Sequence, residues 1–363
     1  MSQKTTWPLD PHTAAKHVIL RKYLNAWLPK ITRYNGRVII CDGFAGPGIY
    51  SEGEKGSPII SLEALINHSY RPSMKAEMKY IFIESDANRC KSLQKAIEAV
   101  DLPKSISLNI LNQECEHAFA EILDYLDQKD SSLAPTFAFI DPFGISGVPL
   151  EIIQRLMAHR GCEVFITFML GPLHRFITTP EFEPHCDRLF GCGDWRTAKT
   201  LTGHDREEFL RSLYQSQLHN VEQGVGAKYV RFFTMKDKKN RTIYDLFFAT
   251  NHEQGIDAMK DAMWHVDQTG VYSFSDATNP EQETLYSSEP DWDQLFNTLQ
   301  ARYAGELRPW PEIEEAIRQS PFRILRRPLQ FESKKPNGRL RIIHPPGSRL
   351  GTLNTESFIQ FPV

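Results

Sequence analysis

The sequence predicts an α/β fold with a doubly wound, mainly parallel sheet, and three observations indicate this class. Between residues 37 and 170, short apolar segments alternate with amphipathic helical segments. These apolar segments, such as RVIICD at 37–42, are almost uninterrupted, which is typical of parallel strands buried on both faces. Two β-rich segments between 227 and 251 flank the polar turn KDKKNR, which predicts an antiparallel hairpin at the edge of the sheet.

The elements of this sheet follow one another in a regular order. Residues 10–31 begin with Asp-Pro and carry apolar residues at helical spacing, which predicts an amphipathic N-terminal helix. Those apolar residues are Val18, Ile19, Tyr23, Leu24 and Trp27. Strands are predicted at 37–42, 78–85, 105–111, 136–144 and 162–170, and helices at 56–68, 87–100, 114–128, 149–160, 205–218 and 255–267. Residues 171–200 are predicted to form a loop-rich insertion.

A second, smaller module is predicted at the carboxyl end of the chain. Residues 278–289 are rich in polar turn formers and predict a linker, which divides a domain at 1–277 from a module at 290–363. Within the module, helices are predicted at 291–303 and 310–320, and a hairpin at 325–345 with an Asn-Gly turn. Two short helices followed by a hairpin indicate a winged-helix-like α+β module.

Composition excludes several classes of protein. The chain has 363 residues and a formal net charge of -3, and no apolar run is long enough for a membrane helix. Its six cysteines lack paired spacing and its first residues do not form a secretory signal, so we expect a cytoplasmic protein with reduced thiols. His185, Cys186 and Cys192 resemble metal ligands, but further ligands at regular spacing are missing, and no metal is predicted.

Positive charge is concentrated near the carboxyl end. Residues 300–350 contain eleven Lys or Arg and five Glu, an excess of +6, so the remainder of the chain carries about -9. A basic module attached to an acidic domain suits an enzyme that reaches for an anionic macromolecule, and nucleic acid is the predicted partner. The alternative is a solvated surface on a small packing module.

A glycine-rich turn, DGFAGPG at 42–48, directly follows the first predicted strand. A dinucleotide site needs G-x-G-x-x-G and an acid about 20 residues further on, but here the third glycine is absent and Pro47 removes an amide donor. A phosphate-binding loop would need G-K-[ST], which is also absent. Both phosphate-binding interpretations are therefore weakened, and one alternative is a tight turn without function.

The turn resembles the D-x-F-x-G-x-G motif of class I S-adenosylmethionine-dependent methyltransferases. The resemblance implies that Asp42 holds the methionine ammonium and that Glu84, at the end of the second strand, binds the ribose hydroxyls, with Asp86 as a nearby substitute. It also implies that Asn112 stands where an acid normally contacts the adenine amine. The remaining residues assigned to the cofactor are Gly43, Phe44, Ala45, Gly46, Gly48 and Ser85.

A second motif, Asp141-Pro142-Phe143-Gly144, ends the fourth core strand. It resembles motif IV of amino-methyltransferases, [DNS]-P-P-[YF], and its order is closer to D-P-[FY]-G of tRNA guanine-N2 methyltransferases. The resemblance implies that Asp141 accepts hydrogen bonds from an exocyclic amine while Phe143 stacks on the base, so that catalysis comes from positioning and electrostatics. The alternative is a strand-ending turn without function.

Over residues 10–345 the chain resembles the three-Cys-motif partner protein family, a methyltransferase-like group. The segments that carry the resemblance are DGFAGPGIY, GSPI at 56–59, FIESD at 82–86, FIDPFG at 139–144 and residues 247–264. The resemblance implies a Rossmann-like fold, S-adenosylmethionine as cofactor, and a neighbouring protein with three cysteines of the radical-enzyme type. The leading hypothesis is a methyltransferase for an amino group of a nucleic-acid base. The alternatives are a subunit that docks the three-cysteine protein, and a methyltransferase for a peptide or small molecule.

Two further pairs of residues have open roles. Lys16 and His17 on the first helix either reach over the pocket or lie on an exposed helical face, and the exposed face is the stronger expectation. Asn251 and His252 follow the last strand and either line the pocket or cap the next helix.

Overall fold

The computed structural model describes residues 6–144, 147–219, 226–267, 269, 271–277, 290–345 and 353–362. They divide into two compact units, Met1–Val266 with Ser273–Gln282, and Asp267–Tyr272 with Glu283–Val363. The predicted linker at 278–289 lies outside the described residues. No helix in the described part of the chain combines the length and the apolar character that a membrane span requires.

The first unit is built on an eight-stranded sheet in the order β3-β2-β1-β4-β5-β7-β6-β8. Its strands are β1 Arg37–Asp42, β2 Glu77–Ile83, β3 Ile106–Leu111, β4 Thr136–Ile140, β5 Cys162–Phe168, β6 Tyr229–Lys236, β7 Thr242–Thr250 and β8 Ser273–Ser275. Strands β1 to β5 are parallel, whereas β7 runs antiparallel to β5 and β6. The predicted doubly wound sheet with an antiparallel hairpin is therefore present.

The helices of this unit pack against the sheet through alternate strand residues, because successive side chains of a strand point to opposite faces. They are α1 Pro11–Tyr34, α2 Ser57–Ile66, α3 Ala87–Glu98, α4 Cys115–Gln128, α5 Leu150–Ala158, α6 Leu170–Phe176, α7 Glu183–Phe190, α8 Gly203–Leu218 and α9 Glu253–Val266. On one face, Tyr23 of α1 packs against Phe137 and Phe248. On the other, Ala138 and Ile140 belong to the core that α4, α5, α7 and α8 complete.

Two expectations about this unit are wrong. The insertion at 171–200 is mainly helical, with α6, α7 and 3₁₀ turns at Pro180–Phe182 and Asp194–Lys199. Pro180 is the first residue of its 3₁₀ turn and Pro184 is the second residue of α7, where the amide that proline lacks would have no intrahelical partner. These prolines therefore begin helical segments and do not break them. The hairpin also does not end the sheet, because β8 pairs parallel to β6 beyond it.

The second unit has the order helix, strand, helix, helix, strand, strand. These elements are α10 Trp292–Tyr303, β9 Leu307–Pro309, α11 Trp310–Gln319, α12 Arg326–Lys334, β10 Arg341–Ile343 and β11 Phe358–Gln360. The strands form an antiparallel sheet in the order β10-β11-β9. The described elements of the unit thus combine helices with a small sheet, and the winged-helix arrangement stays a prediction.

The predicted hairpin at 325–345 is wrong, because its first half is the helix α12. Leu329 and Glu332 are buried three residues apart, which is the spacing of one helical face. Gly338 does not form a hairpin turn with Asn337. A Cβ atom there would collide with the carbonyl oxygen of Glu332, so glycine is required where the chain passes close to the end of α12.

Candidate active site

The candidate site lies at the carboxyl ends of the central parallel strands. Asp42 ends β1, Glu84 follows β2, and Asp141 follows β4. Strand β1 pairs with both β2 and β4, so the chain leaves β1 toward one side of the sheet and returns at β4 on the other. In open α/β sheets, ligands bind in the crevice formed at such a switch point. The three acids are therefore gathered where this fold places a ligand.

The glycine-rich turn is held close to the strand ends by its backbone. The amide of Gly43 donates to the carbonyl of Phe139 at 2.8 Å, and the amide of Ala45 donates to the carbonyl of Ile83 at 2.9 Å. Gly48 has a φ of 80°, and a Cβ atom there would lie 2.9 Å from Leu93 Cδ1 of α3. Glycine is thus needed at this position for both conformation and space.

Asp42 lies beneath the turn with its carboxylate shielded from solvent. It is 3% exposed, and it accepts hydrogen bonds from Ser57 Oγ at 2.6 Å and from the amide of Phe44 at 3.1 Å. Burial raises the pKa of Asp42 to about 7, although these two hydrogen bonds oppose the shift. Near neutral pH the group therefore changes charge readily when a cation approaches.

Glu84 connects the turn to the segment after β2. Its Oε2 accepts from the amide of Gly46 at 3.0 Å and its Oε1 accepts from the amide of Asp86 at 2.8 Å. A carboxylate has about four acceptor positions, so two backbone bonds leave capacity for a ligand's hydroxyl groups. Arg89 Nη1 lies 3.9 Å from Oε1 and adds a positive charge beside the carboxylate.

Asp86 and Asn112 have structural partners in this region. Asp86 accepts from the amides of Asn88 and Arg89 at 2.9 and 2.8 Å, and so caps the start of α3. Asn112 Nδ2 donates to the carbonyls of Glu84 and Ser85, both at 2.9 Å. Asn112 is not among the residues that line either neighbouring cavity. Its amide instead fixes the backbone that carries Glu84.

Two cavities border the turn and meet at Phe44 and Phe143, which line both. The larger cavity has a volume of about 330 Å³, and Gly43, Glu84 and Ser85 line it. This volume is in the range of small-molecule sites. The smaller cavity has a volume of about 30 Å³, enough for about one water molecule. The smaller cavity is lined by Trp7, His17, Phe44, Ala45, Gly46, Pro47, Gly48, Ile49, Tyr50, Gly56, Ser57, Asp141 and Phe143.

Asp141 faces the smaller cavity and is paired with a lysine from the first helix. Lys16 Nζ donates to Asp141 Oδ2 at 2.5 Å, and the Lys16 side chain is only 5% exposed. The same ammonium lies 5.1 Å from the ring centroid of Tyr244. The expectation that Lys16 lies on an exposed helical face is wrong.

His17 is the second buried polar residue of α1 at this site. Burial, together with the nearby charge of Lys16, lowers the pKa of His17 to about 3, so its imidazole is neutral at physiological pH. His17 was also expected to be exposed. Val18, expected on the apolar face, is instead 39% exposed, because the helix turns its polar residues at 16 and 17 toward the site.

An aromatic cluster lies at the mouth of the two cavities. Phe143 is 59% exposed and meets Trp7 edge to face, with ring centroids 5.2 Å apart. The guanidinium of Arg89 lies 5.1 Å from the Trp7 ring and 5.8 Å from the Phe143 ring. Pro142 and Gly144 line a separate cavity of about 10 Å³, and Phe143 is not among the residues that line it. The motif thus presents Asp141 and Phe143 to the site.

Asn251 and His252 lie away from these residues. They line a cavity of about 480 Å³ with Trp27, Lys30 and Gly161. Gly161 precedes β5 and Asn251 follows the antiparallel β7, so this cavity lies at the amino edge of the parallel strands. His185, Cys186 and Cys192 do not come together with further acidic or histidine side chains as a metal cluster in the part of the chain that the structure describes.

Comparison with known proteins gives structural likenesses. No protein-family model and no curated protein sequence matches the chain. Trm1 of Pyrococcus horikoshii, in complex with S-adenosyl-L-methionine, is 13% identical to this chain, with a TM-score of 0.36. The match covers 69% of this chain and 59% of Trm1, so this chain spans less than two thirds of the length of Trm1. A Legionella pneumophila protein is 13% identical with a TM-score of 0.37, over 64% of this chain and 84% of that one. A proposed O-methyltransferase of Klebsiella pneumoniae is 11% identical with a TM-score of 0.34, over 68% of this chain and 92% of that one. The function is therefore inferred from the residues of this chain.

Proposed function

We propose that this protein is an S-adenosylmethionine-dependent methyltransferase that acts on an amino group of a nucleic-acid base. One observation carries the proposal: the glycine-rich turn joins two cavities, with the carboxylate of Glu84 on one and that of Asp141 on the other. The acceptors for a nucleoside sugar and for a substrate amine therefore stand on opposite sides of a bare backbone. The resemblance to the three-Cys-motif partner family remains a prediction from the sequence motifs.

The larger cavity suits the adenosine part of the cofactor. Glu84 retains free acceptor positions for the ribose hydroxyls while its bonds to the turn hold it in place. Bare backbone at Gly43 and the ring of Phe44 form the adjoining wall. The carboxylate of Glu84 on the wall of this cavity would repel a phosphate and accept from hydroxyl groups, so it fits the sugar of a nucleoside.

The methionine part of the cofactor would be held by Asp42. Its ionised carboxylate is the anion that an ammonium needs, and the hydrogen bond from Ser57 orients that carboxylate. Ser57 lines the smaller cavity together with Trp7 and Tyr50, whereas Asp42 is not among its lining residues, and a volume of about 30 Å³ is too small for this group as it stands. Binding of this part of the cofactor would therefore require the lining of the smaller cavity to open.

Four side chains would position the substrate amine. Asp141 accepts a hydrogen bond from the amine, and Lys16 fixes the orientation of that carboxylate from a buried position. The neutral imidazole of His17 is available as a further acceptor, and the exposed ring of Phe143 offers a stacking face for a base. The cofactor supplies an electrophilic methyl group, and these residues aim the nitrogen lone pair at it.

Transfer of labelled methyl groups tests the proposal. The full-length protein is incubated with radiolabelled S-adenosylmethionine and separate fractions of DNA, RNA and protein. We expect label in a nucleic-acid fraction, bound to an exocyclic nitrogen after hydrolysis of the polymer, and far less label with the Asp141→Ala protein. Label in the protein fraction alone, or equal label with the variant, would overturn the proposed acceptor.

The affinity for the cofactor should depend on pH through Asp42. Below a pKa of about 7 the buried carboxyl is protonated and loses its attraction for an ammonium. We therefore expect the affinity for S-adenosylhomocysteine to fall about tenfold per pH unit as the pH decreases below about 7, and to level off above it. Calorimetric titrations from about pH 5 to about pH 8.5 measure this dependence.

Two variants control the pH experiment. Asp42→Asn should bind weakly with a flat profile over this range, because it has no charge to lose. Ser57→Ala removes a hydrogen bond that favours the ionised carboxylate, so the midpoint should move to higher pH. A wild-type profile that is as flat as that of Asp42→Asn contradicts the assigned role.

A further inference from the structure

The helix α12 of the second unit presents a cationic outer face. Arg326, Arg327 and Lys334 are exposed, and so is Phe331, at 70%. The side that faces inward is made by Leu329 and Glu332, both 1% exposed. The buried positions thus anchor α12 in the unit, while the other side of the helix is free to meet a partner.

The acidic residue of α12 does not weaken this positive face. Glu332 is buried, and it accepts from Arg339 Nε at 2.8 Å and pairs with Lys335 Nζ at 2.6 Å. Between 323 and 341 the chain carries seven Lys or Arg and one Glu, an excess of +6. Within the described residues, none forms a salt bridge with Arg326, Arg327 or Lys334. Their charges are therefore available to phosphate groups.

The shape of α12 favours duplex DNA over RNA. The helix has nine residues and begins with its two arginines. The major groove of B-form DNA is about 12 Å wide and admits an α-helix, whereas the major groove of A-form RNA is too narrow for side chains to read. Arginines at the start of a helix suit the acceptor pair of guanine in that groove. Helix-turn-helix proteins contact base edges with the same end of their second helix.

We propose that α12 is the element that docks this protein in the major groove of duplex DNA. Arg326 and Arg327 would contact base edges or the phosphates that flank them, Lys334 would contact a phosphate, and Phe331 would contact thymine methyl groups or sugars. The inference deepens the proposed function by naming its macromolecular substrate. It is tested by binding alone, so its failure and a failure of methyl transfer are separate results.

The test measures binding of the full-length protein to a fluorescent duplex DNA of mixed sequence, by anisotropy. The Arg326→Ala/Arg327→Ala/Lys334→Ala protein should bind on the order of 10²-fold more weakly than wild type at about 0.1 M salt. The slope of log affinity against log salt should become shallower by about three. Methyl green, which occupies the major groove, should compete with the wild-type protein, whereas netropsin, which occupies the minor groove, should not.

A control variant removes the same charge elsewhere. Lys22, Arg33 and Lys104 are exposed residues of the first unit, and their triple alanine variant should keep at least half of the wild-type affinity. Circular dichroism spectra must match for all three proteins. An Arg326→Lys/Arg327→Lys variant keeps the charge and serves as a control for misfolding. Its slope of log affinity against log salt should equal that of the wild-type protein. Equal loss in both triple variants, unchanged binding by the α12 variant, or tighter binding of duplex RNA or of protein than of DNA would overturn the proposal.

Discussion

Replacing Asp141 by alanine should reduce the rate of methyl transfer on the order of 10²–10³-fold while leaving cofactor affinity within about twofold of wild type. The carboxylate lies at the end of β4, lines the smaller cavity, and is the acceptor for the substrate amine in the proposed site. Without the carboxylate, the amine loses the hydrogen bond that orients its lone pair. The transition state for methyl transfer is therefore destabilised, whereas cofactor binding is little affected. Single-turnover transfer of labelled methyl and calorimetric titration of S-adenosylhomocysteine measure the two quantities.

The pairing of Asp141 with Lys16 makes two controls necessary. In Asp141→Ala, the ammonium of Lys16 stays buried without its partner, and such a charge can destabilise a protein by several kcal/mol. The Lys16→Met/Asp141→Ala protein removes both charges, so it should regain thermal stability but not activity. Asp141→Asn keeps a carbonyl oxygen for the amine and should retain more activity than the alanine variant. A fully active Asp141→Ala protein would exclude Asp141 from the chemistry.

The strands of the sheet could be predicted from the sequence because each one is marked by its own apolar residues. Parallel strands covered on both faces need side chains that are apolar on both sides, so segments such as Val38–Cys41 stand out in the sequence. The sheet also brings the ends of β1, β2 and β4 together without any information about side chains. Strand assignment therefore places Asp42, Glu84 and Asp141 at strand ends, and the strand order of the structure makes them neighbours.

The buried polar residues of α1 could not be predicted in this way. Lys16 is buried because it meets Asp141, 125 residues further along the chain, and helical periodicity carries no information about such a partner. The same applies to Trp7, which meets Phe143. The sequence does place a Lys-His pair beside the apolar face of the helix, which could have indicated burial. Lysine is mostly exposed in proteins, however, so an exposed position was the stronger expectation.

The helix α12 was missed for a different reason. Pro328 and the Asn337-Gly338 pair are both typical of turns and hairpins. However, Pro328 is the third residue of α12, where proline is tolerated because the first amides of a helix have no intrahelical partner. Gly338 is needed for its small size beside Glu332. The turn signal was thus misleading at Pro328 for a local reason, its place in the first turn of the helix, and at Gly338 because of tertiary packing.

Replacing Glu84 by alanine should weaken cofactor binding on the order of 10²–10⁴-fold, because two hydrogen bonds from ribose hydroxyls to an ionised group are lost. The residue is 5% exposed and also holds the amides of Gly46 and Asp86, so part of this loss would come from a displaced turn. Titration of S-adenosylhomocysteine measures the total effect, and thermal denaturation measures the structural part.

The two contributions are separated by a ligand that lacks the hydroxyl groups. The wild-type protein should bind adenosine more tightly than 2′,3′-dideoxyadenosine by the same factor that Glu84 contributes through the ribose. In Glu84→Ala this preference should vanish, since no carboxylate remains to distinguish the ligands, whereas a turn that is merely displaced would weaken both ligands and preserve their ratio. Glu84→Gln keeps one acceptor oxygen, and its amide must face either the ligand or a backbone donor, so an intermediate preference is expected. Equal binding of both nucleosides by the wild-type protein would show that Glu84 does not bind the ribose hydroxyls. Its role would then be structural, through its hydrogen bonds to the turn.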